Sequence, residues 1–152
     1  MWQKEFVGEG TRFAPSDPYG TITIPADCDY TVSVAAFNQN NGNLLPYSGV
    51  ALMDNYLGRI DFAAGGVNTM TVGLNNTIAI INGSSLSAGI GAGICALLFQ
   101  WGIVRGNYPY MYSQSIKTFL RRGTVQRRGD VYPNQQTGYG IINLYKIFEE
   151  MT

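Results

Sequence analysis

The sequence predicts an α/β domain. Short β-branched runs gather in its first half and apolar segments of helical length in its second, and 19 glycines permit helices to pack tightly on a sheet. A chain of 152 residues with 45% hydrophobic content sustains one domain with its own core. Lys plus Arg and Asp plus Glu both number 10, so no overall field draws nucleic acid, an anionic membrane or an acidic ligand. Histidine is absent, which removes the commonest general base and the commonest metal ligand.

Residues 1–20 mix aromatics, glycine and Pro15-Ser16-Asp17-Pro18 with no sustained period, and read as an arm or the exit from another structure. Met1 to Phe6 has no long apolar run and is not a secretory signal. Thr21 to Ile24 alternates up to Pro25 and predicts a strand, and Thr31 to Phe37 predicts a stronger one. The Asn, Gln and Gly cluster from Asn38 to Asn43 is a turn, and Leu44 to Gly49 a loop. Arg59 to Ala64 predicts a short strand ending at Gly65-Gly66.

Ile78 to Ile81, β-branched apart from Ala79, reads as a buried strand, followed by a tight turn at Asn82-Gly83. Ser84 or Ser85 then caps a helix, and a serine in that first turn has its hydroxyl beside a positive helix end, where a nucleophile could sit. The uncharged segment Leu86 to Val104 has the length of a membrane span, with Gly89 and Gly93 at GxxxG spacing. Ser87, Gln100 and the glycines make it only modestly hydrophobic, so it predicts a central buried helix surrounded by protein on nearly every side. Cys95 falls inside it, and with Cys28 is expected to be a free, partly buried thiol.

Ser113 is expected to cap a second helix with Ile116, Phe119 and Leu120 on one face and Gly123 as its stop. Arg121 to Asp130 is a charged loop, and its Arg121, Arg122, Arg127 and Arg128 read as solvated rather than as a nucleic-acid contact. A last amphipathic helix places Ile141, Leu144, Tyr145 and Phe148 inward. Asp27, Asp29 and Asp61 could lend oxygens to a calcium ion, but their spacing matches no specific loop.

The stretch Asn82-Gly83-Ser84-Ser85-Leu86-Ser87-Ala88 resembles the Gly-Thr-Ser-Met-Ala nucleophile motif of subtilisin-like serine proteases, peptidase family S8. The agreement continues in order. Thr31 to Asn38 resembles that family's Val-Ile-Thr-Val-Gly-Ala strand, Tyr47-Ser48-Gly49 its Phe-Ser segment, and Ile60 to Val67 its Pro-Asp-(Ile/Val)-Ala-Pro-Gly-Val run. Gly138 to Asn143 resembles its Gly-Tyr-Gly close. Trp2, Phe13 and residues 15–25 resemble the exit from the β-rich insertion of clostridial germination-type subtilases, and Leu98 to Ile103 and Tyr132-Pro133-Asn134 are similar to the same branch.

The resemblance implies an α/β fold: the C-terminal portion of a subtilisin-like domain over residues 21–152, with a partial parallel sheet, a central buried helix and two further C-terminal helices. It implies that Ser85 is the catalytic nucleophile, that Asn82, Gly83 and Ser84 form its substrate and oxyanion neighbourhood, and that the substrate is a peptide or protein. The resemblance is compatible with a bacterial, secreted or spore-associated protein and leaves the compartment open. The family's Asp, His and oxyanion-hole Asn lie upstream of every matched segment, and this chain has no histidine, so the triad is not completed within it. Ser84 stands where the family has Thr, Gly65 where it has Pro, and Gly89 where many members have Pro. The expectation is a chain inactive alone that self-associates, exchanges segments such as residues 1–25 between copies, or binds a separately made N-terminal half. The competing expectation is a non-catalytic binding or assembly module on the same scaffold, with Ser85 an ordinary helix cap.

Overall fold

Short strands, beginning in the first half of the chain, and helices in the second build the architecture. A computed structural model describes residues 10, 14–52 and 59–151. In chain order the elements are β1 (Val34–Phe37), β2 (Phe62–Gly65), β3 (Thr69–Val72), β4 (Ile78–Ile81), α1 (Ser84–Phe99), α2 (Ser113–Arg122), β5 (Thr124–Val125), β6 (Ile141–Ile142) and α3 (Leu144–Glu149). A wider helical turn over Gln100–Val104 prolongs α1. The main sheet has the order β1-β2-β6-β5, parallel from β1 through β6 and antiparallel at β5. This is the mixed α/β architecture the sequence predicts.

Alternation along β2 divides the core. Phe62 and Ala64 point toward the helices, packing with Ile94 and Leu98 of α1, Ile116 and Leu120 of α2 and Ile147 of α3. Ala63 faces the other way, with Ala35, Phe37 and Ile60, under Ile22 and Leu44. α1 lies close to the sheet because Gly91 has no side chain: a Cβ there would stand 3.0 Å from Val34 Cγ2 and 3.2 Å from Phe62 Cζ. The far edge of β1 is partly closed by the chain itself. Leu45 N–H donates to Ala36 O at 3.1 Å, and Ala36 N–H donates to Ser48 Oγ at 3.0 Å.

Several expectations are corrected. Thr21 to Ile24 is no strand: Thr21 N–H donates to Val50 O, but Val50 N–H donates to the Thr21 hydroxyl and not to a backbone carbonyl, and Ile24 is exposed. The second strand begins only at Val34, because Ser33 N–H is taken by the Asp61 carboxylate. Ile78 to Ile81 is not buried. It pairs antiparallel with β3 as a hairpin, and Met70, Val72, Ile78 and Ile80 stand exposed on one face, Val72 at 80%. The same β-branched run suits a buried strand and a hairpin strand, and only the hidden partner Thr69–Val72 distinguishes them.

The long helix is likewise only half enclosed. Ser87, Gly91, Ile94 and Leu98 form its buried stripe, while Ser85, Gly89, Ala92 and Ala96, at the same spacing on the opposite side, are exposed. By length and composition Ser84–Val104 could cross a bilayer, yet its inner stripe is occupied by the sheet. Gly123 ends α2 as expected, but Tyr112, without a side-chain cap bond, precedes it in place of a capping Ser113. Ile141 belongs to β6 rather than to the last helix. In α3 it is Ile147 that is buried, and Tyr145 is 76% exposed. Cys28 is exposed rather than partly buried, whereas Cys95 is half-buried. Trp2 and Phe13 of the expected arm lie outside the described residues.

Candidate functional site

The start of α1 is fixed to the end of β2 by a row of backbone carbonyls. Ser87, 0% exposed, donates its hydroxyl to Ala64 O at 3.1 Å and Gly65 O at 3.0 Å. Gly83 N–H donates to the next carbonyl, Gly66 O, at 2.9 Å. Asn82 Oδ1 then accepts from Asn68 N–H at 2.6 Å. Three successive carbonyls and one amide of residues 64–68 therefore hold residues 82–87 in place. Gly66 is required for this closeness, since a Cβ there would lie 2.8 Å from Leu45 Cδ1 and 3.0 Å from Ser87 Oγ. Tyr47 Oη also donates to Gly66 O, and Gln39 brackets Val67, its amide donating to Val67 O and its oxygen accepting from Val67 N–H.

Ser85 sits in the middle of this fixed segment. The helix begins after Gly83, whose φ of 146° no other residue type adopts readily, and neither Ser84 nor Ser85 supplies a capping bond. That overturns the expectation of a serine cap: glycine makes the turn, and among the described residues the Ser84 and Ser85 hydroxyls have no hydrogen-bond partner. Ser85 is exposed in the first turn, with no acidic side chain there to oppose the positive end of the helix. Leu86 N–H turns back to Gly83 O at 3.2 Å, leaving the N–H groups of Ser84 and Ser85 among those a helix cannot satisfy itself. Asn82, Gly83 and Ser84 adjoin Ser85, so the structure brings all four predicted residues to one helix end. Sequence reasoning missed Ser87 and Gln39 as parts of this site. The spacing of Ser87 two residues after Ser85, which turns it to the opposite side of the helix, was the available signal.

A second polar cluster lies elsewhere in the core. Asp61, fully buried, accepts from Ser33 N–H at 2.9 Å and pairs with Lys117 at 3.3 Å and Arg121 at 2.7 Å. Arg121 also lies over the Tyr139 ring at 4.7 Å. Arg121 is thus a structural cation of α2 and not a member of a solvated loop. Asp27 and Asp29 share Arg59, at 3.4 and 2.6 Å. Among the described residues no group of His, Cys, Asp or Glu is arranged to hold a metal ion. Cys95 faces the same core, where burial first and the Asp61 charge second push its thiol pKa up.

Comparison with known proteins bears on the family and the fold. The model of the subtilase family matches residues 16–140. The structure of the Clostridium perfringens CspB protease superposes with a TM-score of 0.81 at 34% identity, over 88% of this chain and 29% of that one. The Prenylagaramide maturation protease PagA matches at 0.70 and 23% identity, covering 90% of this chain and 48% of that one. Fervidolysin from Fervidobacterium pennivorans, a keratinolytic enzyme related to subtilisin, matches at 0.66 and 18% identity, covering 83% and 20%. The last two likenesses concern the fold alone. No curated protein sequence matches the chain. The chain thus spans less than a third of the CspB chain, and its fold is a C-terminal portion of the subtilisin-like architecture. It belongs to the subtilase family.

Proposed function

We propose that this chain is the nucleophile-bearing part of a subtilisin-like serine endopeptidase, acting on peptide or protein substrates, with Ser85 as the nucleophile. The observation that carries the reading is the Ser85 hydroxyl, exposed and without a partner among the described residues, at an end of α1 that is otherwise bolted down. In the proposed reaction Ser85 Oγ attacks the scissile carbonyl and gives its proton to a base. The N–H groups at the start of α1, including that of Ser85, donate to the oxyanion. Asn82, Gly83 and Ser84 line the approach to that position.

The base is not in this chain, which contains no histidine. Without it the hydroxyl stays protonated at neutral pH, and loss of one triad member costs about 10⁴ to 10⁶ in rate. The chain alone is therefore proposed to be inactive. An Asp, a His and an oxyanion-hole Asn come, in this reading, from a preceding part of the catalytic domain. The exposed stripe of Gly89, Ala92 and Ala96, continuous with Ser85 and free of charge, supports docking of that part on α1. Gly89 and Gly93 have open space where a Cβ would be, so another element can come close to the helix backbone.

The missing histidine also favours a second reading, a non-catalytic assembly module that keeps the scaffold. The two separate in one assay. The chain is mixed with the N-terminal half of a subtilisin-like catalytic domain, and peptidase activity is followed with wild type and Ser85→Ala. Activity with wild type alone supports the protease reading. A stable complex without activity supports the module.

A further inference from the structure

The row of carbonyls at the end of β2 assigns a role to a second serine, two residues beyond the nucleophile. We propose that Ser87 is a positioning residue: its buried hydroxyl, shared between Ala64 O and Gly65 O, fixes the first turn of α1 and thereby the direction of the Ser85 hydroxyl. This rests on the reading of Ser85 as nucleophile.

Four features carry the inference. Ser87 is completely buried, although the stripe it belongs to is otherwise glycine and aliphatic: Gly91, Ile94 and Leu98. A hydroxyl at such a place is retained against its desolvation only if it is bonded, and this one meets two carbonyls at 3.1 and 3.0 Å. Those carbonyls precede Gly66 O, which holds Gly83 N–H at 2.9 Å, so Ser85 lies between two attachment points on one strand end. Finally, Gly66 leaves the space the hydroxyl occupies, since a Cβ would stand 3.0 Å from Ser87 Oγ. An alanine at position 87 would fill most of the volume and leave the first turn attached only through Gly83 and Asn82. The consequence is a helix start that is folded but no longer held in one orientation.

The test reads the direction of residue 85 without needing the absent base. In a chain carrying Ser85→Cys, Cys28→Ser and Cys95→Ala, residue 85 bears the sole thiol. Its rate of alkylation by iodoacetamide and its titration report how squarely it faces the positive helix end. Ser87→Thr and Ser87→Val are then compared in that background, two side chains of one shape of which only the first donates. The Thr form is expected to keep the parent's rate and titration. The Val form is expected to alkylate at least about threefold more slowly near pH 7, with its titration moved to higher pH. Identical rates and titrations in the two forms would overturn the proposal, even if the Val form had a lower denaturation midpoint, because a merely structural hydroxyl changes stability alone. If the larger side chains prevent folding, Ser87→Ala against the Ser87 parent makes the same comparison. Failure of the nucleophile reading is distinguishable. It would appear as an inert Ser85 in the complemented protease while the Thr and Val forms of the thiol chain still differ in rate and titration.

Discussion

Asp61 carries a negative charge into the core because every direction around it is answered: a backbone N–H from Ser33, the ammonium of Lys117 and the guanidinium of Arg121. Such a cluster is costly to break and modest in net stabilisation. Asp61→Ala removes the carboxylate that Lys117 and Arg121 share, leaving the buried Lys117 with only the carbonyls of Asp29 and Thr31 as partners among the described residues, and is expected to lower stability by about 3 to 5 kcal/mol in urea denaturation. Cys95 feels the same carboxylate, and burial and Asp61 together hold its pKa above the ordinary thiol value. A raised pKa favours the neutral thiol in the fold. The stabilisation is then complete below the unfolded thiol pKa of about 8.5 and is lost as pH rises through the folded value. The exposed Cys28 should therefore alkylate well before Cys95, and Cys95→Ala should flatten the loss of stability on the alkaline side. Equal alkylation rates would contradict the burial of Cys95. At this scale the sequence was partly legible. Gly-Ser-Ser at the head of an apolar run located Ser85, but nothing in one dimension marked Asp61 as the partner of Lys117 and Arg121, because those contacts join residues about 60 positions apart.

At the scale of elements, α1 presents two stripes of equal spacing and opposite fate. A substitution is read by the stripe it falls on. Gly91→Ala places a methyl 3.0 Å from Val34 Cγ2 and should cost about 1 to 3 kcal/mol, since β1 and β2 must move to admit it. Ala92→Leu, on the open stripe, should change the stability of the chain alone by no more than about 0.5 kcal/mol, and should instead obstruct docking of a second part. A large destabilisation by Ala92→Leu would mean that the open stripe is covered in solution. Uncharged sequence from Leu86 to Val104 suggested burial all round, and that inference failed for a physical reason. Hydrophobicity records what a helix can bury, not which neighbours are present to bury it. The hairpin of β3 and β4 repeats the lesson: Ile78 to Ile81 had the composition of a core strand, and its apolar face meets no core. The strands β5 and β6, two residues each, were too short for any period to register.

At the scale of the whole molecule, one face of the sheet carries three helices, and on the outer side of α1 and its extension Ala92, Ala96 and Ile103 are exposed, with the hairpin close in sequence to the same helix start. Contiguous apolar surface of this kind drives association. Light scattering of the chain alone should give a mass above one copy that grows with concentration, and a single-chain mass at all concentrations would mean that this surface is not accessible. The fold class was readable from strands followed by helices, and the family from the order of five short motifs, because both are recorded along the chain. The open face was not, because it depends on what lies beside the chain rather than within it. The central claim is that Ser85 is a nucleophile awaiting its base. Its most direct measurement is labelling by a serine-directed fluorophosphonate, mapped by mass spectrometry, on the chain alone and after addition of a subtilisin-like N-terminal half. The account predicts no label on the isolated chain and stoichiometric label at Ser85 in the complex. Stoichiometric label on the isolated chain, or a complex that forms and leaves Ser85 unmodified, would contradict it.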